Sequence, residues 1–294
     1  MNMKKFLLKS GFAILCFLTL IFGVYLILHA MSRKSNDCIN RNGKVFVWGD
    51  SQMCLDLDVP LLTDRLGKQS LTSAAGGAGV YDFLVSEKNI PSNSVCIVSF
   101  PEAALLRSPL ADNNRIGLEL SCLATLYREG CPWDECLRIM NLNSGNINYK
   151  AFNKSHRLLP YSASIVYFEP LSGFCRMFSE KKDYFDWKAK AYCQGIRQLF
   201  EKQVQVVLIQ FPFEKKVEDC ARNSINRYLT DSLKQVIIEN YAMKYSTITL
   251  SSDSLLMHDL SHMNEVGARL LTVEIANILR ADMVNNYFVE VKIR

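Results

Sequence analysis

Residues 44–51 read KVFVWGDS, a short apolar run that ends in a polar turn. The run Lys44–Trp48 is rich in β-branched and aromatic residues, a composition typical of a buried strand. Gly49, Asp50 and Ser51 follow directly, and we expect a helix to begin just after them. The stretch therefore predicts a strand whose carboxyl end presents a serine, and parallel sheets hold their ligands at that end of the strands.

Other apolar runs along the chain alternate with longer helical patterns. The predicted strands are Val95–Phe100 (VCIVSF) and Val204–Phe211 (VQVVLIQF), with Ala163–Phe168 and Ser246–Leu250 as weaker candidates, and Leu55–Leu66 is predicted as a helix. Strands that alternate with helices indicate right-handed crossovers and a mostly parallel sheet covered on both faces. We therefore expect an α/β fold with three layers, α/β/α.

The size and composition of the chain suit one domain of this kind. Of its 294 residues, 49% are hydrophobic and 21% are charged, which excludes a disordered or collagen-like chain. Residues 44–294 are within the range of a single α/β/α domain with insertions. We predict that Arg115–Arg157, which contains an Asn-rich segment, is such an insertion.

The N-terminal region predicts a membrane anchor. Ser10–Ser32 carries no charged residue and is rich in Phe, Leu, Ile and Val, so it is long enough to span a bilayer once. A cleaved signal peptide is the alternative, but the run is longer than the apolar region of such peptides and ends without a small-x-small cleavage site. We therefore predict an uncleaved anchor in residues 1–32 and a polar linker in residues 33–43.

The charge pattern argues against nucleic acid as a partner. The basic residues that flank the apolar run are Lys4, Lys5, Lys9, Arg33 and Lys34. Without these five, 29 of the 34 basic residues remain, against 29 acidic residues, so no excess of cations is left to bind phosphate groups. Basic residues occur on both sides of the run and do not fix its orientation. We expect the domain to lie outside the cytoplasm, because a short N-terminal tail before one span is typical of a signal anchor.

The cysteine content also points outside the cytoplasm. Ten cysteines are many for an intracellular protein, and nine of them follow the apolar run. Cys131 and Cys136 flank a Pro-Trp turn and are near enough to form a local disulfide in an oxidising compartment. A zinc site is the alternative, but structural zinc usually needs a second close pair of ligands, and the sequence has none. We therefore expect no metal site.

A second polar cluster follows far downstream of Ser51. Asp259 and His262 lie immediately before a predicted amphipathic helix, whose apolar face contains Ala268, Leu271, Ile275 and Ile278. An Asp three residues before a His can hold the imidazole in one tautomer while the other ring nitrogen faces a nucleophile. His258 is adjacent to Asp259 and is the alternative base, but the three-residue spacing favours His262.

Together, Gly49-Asp50-Ser51 and Asp259-Leu260-Ser261-His262 resemble two motif blocks of the SGNH or GDSL hydrolase superfamily. The continuation Met263–Ala268 also resembles the last block of that family, and the resemblance covers roughly Lys44 to Leu279. It implies a flavodoxin-like fold and ester hydrolysis or acyl transfer through a serine nucleophile.

The resemblance implies a role for each matched residue. By position, Ser51 is the nucleophile, His262 the base and Asp259 its orienting partner, with no metal or organic cofactor. The family's second block supplies a glycine whose backbone N–H forms the oxyanion hole with that of Ser51, and residues 75–82 (AGGAGVYD) match it. Gly77 aligns best, with Gly76 and Gly79 as alternatives, and a merely flexible glycine loop is the other interpretation.

The third block of the family is missing. Its members carry Gly-x-Asn-Asp after the third strand, whereas Val95–Glu102 reads VCIVSFPE, without Asn or Gly. The oxyanion hole therefore lacks its usual side-chain donor, and loss of one such donor can cost roughly 100- to 1,000-fold in rate. Asn113 and Asn114 are near in sequence, and nothing favours either of them as the substitute.

The sequence thus predicts a membrane-anchored esterase or O-acyltransferase whose substrate is an acyl ester on a cell-envelope glycan, with acetyl as the expected acyl group. The expected partner of a transferase is a multi-pass membrane protein that donates the acyl group. One alternative is a lipid or phospholipid esterase, which the anchor favours. The other is a catalytically impaired member that binds glycan or assists envelope assembly, which the missing Asn favours.

Overall fold

A computed structural model of the protein describes residues 44–75, 78–107, 120–143, 170–180, 183–251, 256–281 and 285–293, and the single residues Thr19 and Leu158. Within these residues, no helix is both long and apolar enough to cross a membrane. Apart from Thr19, the predicted anchor and linker in residues 1–43 lie outside the described residues, and so does the predicted strand Ala163–Phe168.

The described part of the chain alternates strands with helices. The strands are β1 (Val45–Trp48), β2 (Ser70–Thr72), β3 (Val95–Ser99), β4 (Gln205–Gln210), β5 (Lys244–Leu250) and β6 (Tyr287–Ile293). The helices are α1 (Ser51–Asp56), α2 (Val59–Leu66), α3 (Val80–Lys88), α4 (Glu102–Leu106), α5 (Leu120–Arg128), α6 (Trp133–Asn143), α7 (Leu171–Ser179), α8 (Phe185–Glu201), α9 (Lys215–Ala221), α10 (Ile225–Asn240) and α11 (Glu265–Ala281).

The six strands form one sheet in the order β2-β1-β3-β4-β6-β5, and every neighbouring pair is parallel. The first four strands follow the order of flavodoxin-like sheets, 2-1-3-4-5, but β6 lies between β4 and β5. Because the strands are parallel, their carboxyl ends meet at one edge of the sheet. The loops that follow β1, β3 and β4 therefore gather at that edge.

Alternate side chains of the central strands enter two separate cores. In β1, Val45 and Val47 belong to a core with α1, α2 and α11, whereas Phe46 and Trp48 belong to a core with α3 and α8. This alternation is the period of two expected of a strand that is buried on both faces. Helices thus cover both faces of the sheet, in agreement with the predicted α/β/α layers.

The structure confirms four of the predicted strands and corrects one predicted helix. The confirmed runs correspond to β1, β3, β4 and β5, whereas β6 was not predicted. The single helix predicted at Leu55–Leu66 is wrong, because the chain becomes extended at Leu57 and a new helix begins at Val59. Asp58 caps this second helix by accepting a hydrogen bond from Leu61 N at 3.0 Å, and Pro60 suits the first helical turn.

The disulfide bond differs from the predicted one. Cys131 and Cys136 are free thiols, and the Sγ atom of Cys131 donates a hydrogen bond to the backbone oxygen of Pro132 at 3.7 Å. The bond in the structure joins Cys175 of α7 to Cys220 of α9, with the two Cα atoms 5.5 Å apart. Sequence spacing could not reveal this pair, because 45 residues separate its members.

Candidate active site

The turn after β1 places Ser51 at the start of α1. Gly49 packs so closely that a Cβ atom at this position would lie 2.2 Å from the Cβ of Met53, so a larger residue does not fit. Asp50 has an extended backbone and caps α1 by accepting a hydrogen bond from Gln52 N at 3.2 Å. These two residues fix the turn, and Ser51 is the first helical residue, half-buried at the carboxyl end of β1.

The loop between β5 and α11 holds Asp259 and His262 in one compact turn. The Oδ1 atom of Asp259 accepts hydrogen bonds from the backbone N–H of Ser261 at 2.7 Å and of His262 at 2.8 Å. Its Oδ2 atom lies 2.7 Å from Nδ1 of His262. Nδ1 therefore donates to the carboxylate, and Nε2 is left as the proton acceptor in the neutral imidazole.

The electrostatics of this pair suit a general base. Nε2 of His262 is buried and has no hydrogen-bond partner among the described residues. Burial lowers the pKa of His262, but the hydrogen bond to Asp259 and the nearby carboxylates raise it, and the net pKa is above 6.5. Burial raises the pKa of Asp259, but its hydrogen bonds and the charge of His262 bring it below 3.8. Asp259 is therefore an ionised partner that makes His262 a stronger base.

The structure brings Ser51, Asp259 and His262 to one cavity of about 200 Å³. The other described residues that line it are Asp50, Gln52, Ala103, Arg107, Phe174, Met177, Leu260 and Ser261. His258, the alternative base, is not among them. Since Nε2 has no partner, Ser51 and His262 are not hydrogen-bonded here, and such bonds commonly shorten only in the substrate complex.

Two side chains of α1 hold the His262 loop against the turn that carries Ser51. The side-chain amide of Gln52 donates to the backbone oxygen of Ser261 at 2.9 Å. Asp56 is fully buried and accepts a hydrogen bond from Met263 N at 2.8 Å. Burial raises the pKa of Asp56 well above its usual value. Ser51 and His262 are thus connected through α1 as well as through the cavity.

The start of α11 anchors the other end of the same loop. Asn264 caps the helix, since its Oδ1 atom accepts hydrogen bonds from Val266 N at 3.0 Å and Gly267 N at 3.1 Å. A Cβ atom at Gly267 would lie 2.7 Å from the backbone oxygen of Leu256, so the helix can approach the loop only with glycine there. These contacts explain why Asn264 and Gly267 occur in the sequence that follows His262.

The segment between β2 and α3 contains the three candidate glycines for the oxyanion hole. Gly76 and Gly77 lie outside the described residues, so the predicted role of Gly77 stays a prediction. The segment that leads to them runs beside the turn after β1, because Ala75 N donates to the backbone oxygen of Gly49 at 3.1 Å. Gly79, the other alternative, is the N-cap of α3, and its backbone N–H is taken by Asp82 Oδ2 at 2.9 Å. That contact argues against Gly79 as the donor.

The described residues that follow β3 directly, 100–107, offer no amide side chain in place of the missing Asn. Glu102 is buried, and its carboxylate accepts hydrogen bonds from Arg227 at 2.9 Å and Thr230 at 2.8 Å. These contacts argue against a catalytic role for Glu102. Ala103 reaches the cavity but has no donor group. Asn113 and Asn114 lie outside the described residues.

The cavity residues that the sequence did not predict include Arg107, Phe174 and Met177. Arg107 follows α4, and Phe174 and Met177 lie on α7. The hydrophobic periodicity of α7 indicates a helix, but no local pattern connects it with Ser51. The disulfide between Cys175 and Cys220 ties this wall of the cavity to α9.

Comparison with protein-family models and with curated protein sequences finds no match to this chain. The resemblance to SGNH hydrolases therefore depends on the motif residues and on where the fold places them.

Proposed function

We propose that this protein is a serine-dependent ester hydrolase or O-acyltransferase that acts on an acylated cell-envelope glycan. The observation that carries the proposal is the cavity shared by Ser51 and His262, in which Nε2 is buried and unpartnered while Nδ1 is held by Asp259. This is the arrangement in which a histidine can take a proton from a serine hydroxyl.

The proposed reaction has two steps. Ser51 Oγ attacks the ester carbonyl carbon and transfers its proton to Nε2 of His262, which forms a tetrahedral oxyanion. The bond from carbon to the leaving oxygen then breaks, and the departing alcohol takes the proton from His262. In the second step, water or a sugar hydroxyl attacks the acyl group on Ser51 and gives its proton to His262, which returns it to Ser51 as the product leaves.

The size of the cavity favours a short acyl group. Sites for drug-sized ligands usually occupy about 300–1,000 Å³, whereas the cavity bounded by the described residues is about 200 Å³. An acetyl group fits within this volume, whereas a long acyl chain would have to extend beyond it. This supports an acetylated substrate over the lipid or phospholipid esterase alternative.

The missing Asn supports a second candidate function, a catalytically impaired protein that binds glycan or assists envelope assembly. In favour of this candidate, none of Phe100, Pro101, Glu102 and Ala103 offers an amide side chain. The geometry of His262 supports the enzyme instead, since Asp259 holds Nδ1 and Nε2 is left without a partner to accept a proton.

The proposal also includes the cellular setting. We place the domain outside the cytoplasm, anchored by residues 1–32 and arranged as a flavodoxin-like fold with one additional strand. The disulfide between Cys175 and Cys220 supports an oxidising compartment. A multi-pass membrane protein as acyl donor stays part of the proposal for a transferase, and its co-purification with the chain would separate a transferase from an esterase.

Fluorophosphonate labelling of the full chain in detergent tests the proposed function without knowledge of the substrate. We expect wild type to be labelled, and Ser51→Ala and His262→Ala to lose the label, because the reagent needs an activated serine. Ser232→Ala, which changes an exposed serine on α10, is the matched control and should label like wild type. Absence of label on a folded wild-type protein would contradict the enzyme and favour the binding protein.

A further inference from the structure

The cavity contains one permanently positive side chain among its described residues, and that is Arg107. It follows the last residue of α4, in the connection after β3 where the family carries its missing Asn. The guanidinium has five N–H donors, so it can keep its other contacts and still donate into the cavity. Its position and chemistry both suit a group that stabilises negative charge.

The other candidate donors of the cavity are already used. The amide of Gln52 donates to the backbone oxygens of Ser261 at 2.9 Å and Pro212 at 3.4 Å. The hydroxyl of Ser261 donates to Oδ1 of Asp259 at 3.3 Å. The side chains of Phe174, Met177 and Ala103 have no polar hydrogen. Backbone N–H groups aside, Arg107 is therefore the described donor that can replace an amide side chain near the reacting carbonyl.

Side chains of α8, and of Tyr184 just before it, hold the segment that presents Arg107. Lys188 is fully buried, and its ammonium group donates to the backbone oxygens of Ala104 and Arg107, both at 2.9 Å. The hydroxyl of Tyr184 donates to the backbone oxygen of Leu106 at 2.8 Å. Lys188 thus fixes the backbone of Arg107 through charge-assisted hydrogen bonds to carbonyl groups at the end of α4. A group that stabilises charge in a transition state must be held in position before the reaction begins.

The charge of Arg107 also reaches the turn that carries the nucleophile. Burial raises the pKa of Asp50, the residue before Ser51, and the positive charge of Arg107 is the largest of the effects that lower it again. Asp50, Ser51 and Arg107 line the same cavity, so the positive charge of the guanidinium acts across it on the turn that carries the nucleophile of the proposed reaction.

We propose that Arg107 donates a hydrogen bond to the oxyanion that forms when Ser51 attacks the ester, in place of the missing Asn. The inference rests on the proposed function and identifies a further catalytic residue for it. As the carbonyl π electrons move onto oxygen, the guanidinium N–H stabilises the new negative charge, and it releases the oxygen when the carbonyl re-forms. Arg107 keeps its proton throughout.

The test measures hydrolysis of 4-nitrophenyl acetate, a neutral ester, by the full chain in detergent, alongside the rate of fluorophosphonate labelling. We expect Arg107→Ala to lower kcat by about 100- to 1,000-fold with little change in KM, and to slow labelling similarly. Arg107→Lys keeps the charge without the planar geometry and should retain more activity than Arg107→Ala. Millimolar guanidinium should restore part of the activity of Arg107→Ala.

The matched control is Arg280→Ala, which removes one exposed arginine on α11 and should behave like wild type. Wild-type kcat in Arg107→Ala, or an effect confined to KM, would overturn the assignment while the proposed function stands. If wild type itself neither hydrolyses the ester nor reacts with the fluorophosphonate, the proposed function fails, and the role of Arg107 fails with it. Near-ultraviolet circular dichroism of each variant establishes that it is folded.

Discussion

At the scale of single residues, the pH dependence of the proposed reaction depends on the pair formed by His262 and Asp259. His262 must be neutral to accept the proton of Ser51, so the rate rises with pH through its pKa, which lies above 6.5. Asp259→Asn removes the hydrogen-bonded carboxylate that raises this pKa. We therefore expect the remaining activity to rise at a lower pH than in wild type, and kcat to fall by about 10,000-fold, as for the corresponding change in a serine triad.

The control for this prediction is Asp64→Asn, which changes an exposed carboxylate on α2. Its profile of kcat/KM against pH should match that of wild type. A profile of Asp259→Asn with the wild-type midpoint would show that Asp259 does not set the pKa of His262.

Local motifs revealed some of the candidate site residues and not others. Ser51 follows a strand directly, and Asp259 and His262 are three residues apart, so short patterns in the sequence identify all three. Arg107 has no such pattern. Its place depends on the packing of α4 against α8, and the lysine that holds its backbone oxygen is 81 residues away in sequence.

At the scale of elements, α7 is a wall of the cavity whose position depends on a few specific contacts. The disulfide joins it to α9, and Asn226 of α10 donates hydrogen bonds to the backbone oxygens of Met177 at 2.7 Å and Glu180 at 2.5 Å. Replacing both Cys175 and Cys220 with Ser should lower the free energy of unfolding by about 2–4 kcal/mol, because the unfolded chain loses its cross-link. Urea unfolding at equilibrium measures the change.

Cys193→Ser is the matched control, since Cys193 is a half-buried cysteine outside the disulfide. Its effect on stability should be much smaller. Equal losses in the control and in the double variant would mean that the bond between α7 and α9 adds nothing to stability.

The elements that the sequence predicts well are those with a strong local signal. β3 and β4 are buried on both faces, so each is a continuous apolar run that can be recognised without knowing its neighbours. β6 is different, because its sequence YFVEVKI mixes polar with apolar residues. Its position inside the sheet follows from its pairing with β4 and β5. The break between α1 and α2 was missed because helical spacing continues across Leu57, whereas Asp58 N is hydrogen-bonded to Thr272 Oγ1 of α11 at 2.8 Å.

At the scale of the whole molecule, the predicted anchor in residues 1–32 determines where the cavity operates. A reporter fused after Arg294 that is active only outside the cytoplasm should be active in cells that express the full chain, and the protein should sediment with membranes. The same fusion beginning at Ser35 should give no signal and stay in the soluble fraction, because it lacks the apolar run. Reporter activity in the cytoplasm from the full chain would overturn the proposed location.

The place of β6 in the sheet sets the order in which the protein can assemble during translation. The four neighbouring strands β2, β1, β3 and β4 are all synthesised by residue 210, so they can pair while later residues are still on the ribosome. β5 is made next, but among the described strands β6 is its one partner, so it must wait until residue 293 has been added. Until then the edge of β4 is open, and an open strand edge can pair with another chain. The interval between the synthesis of residues 210 and 293 is therefore when a nascent chain most needs a chaperone.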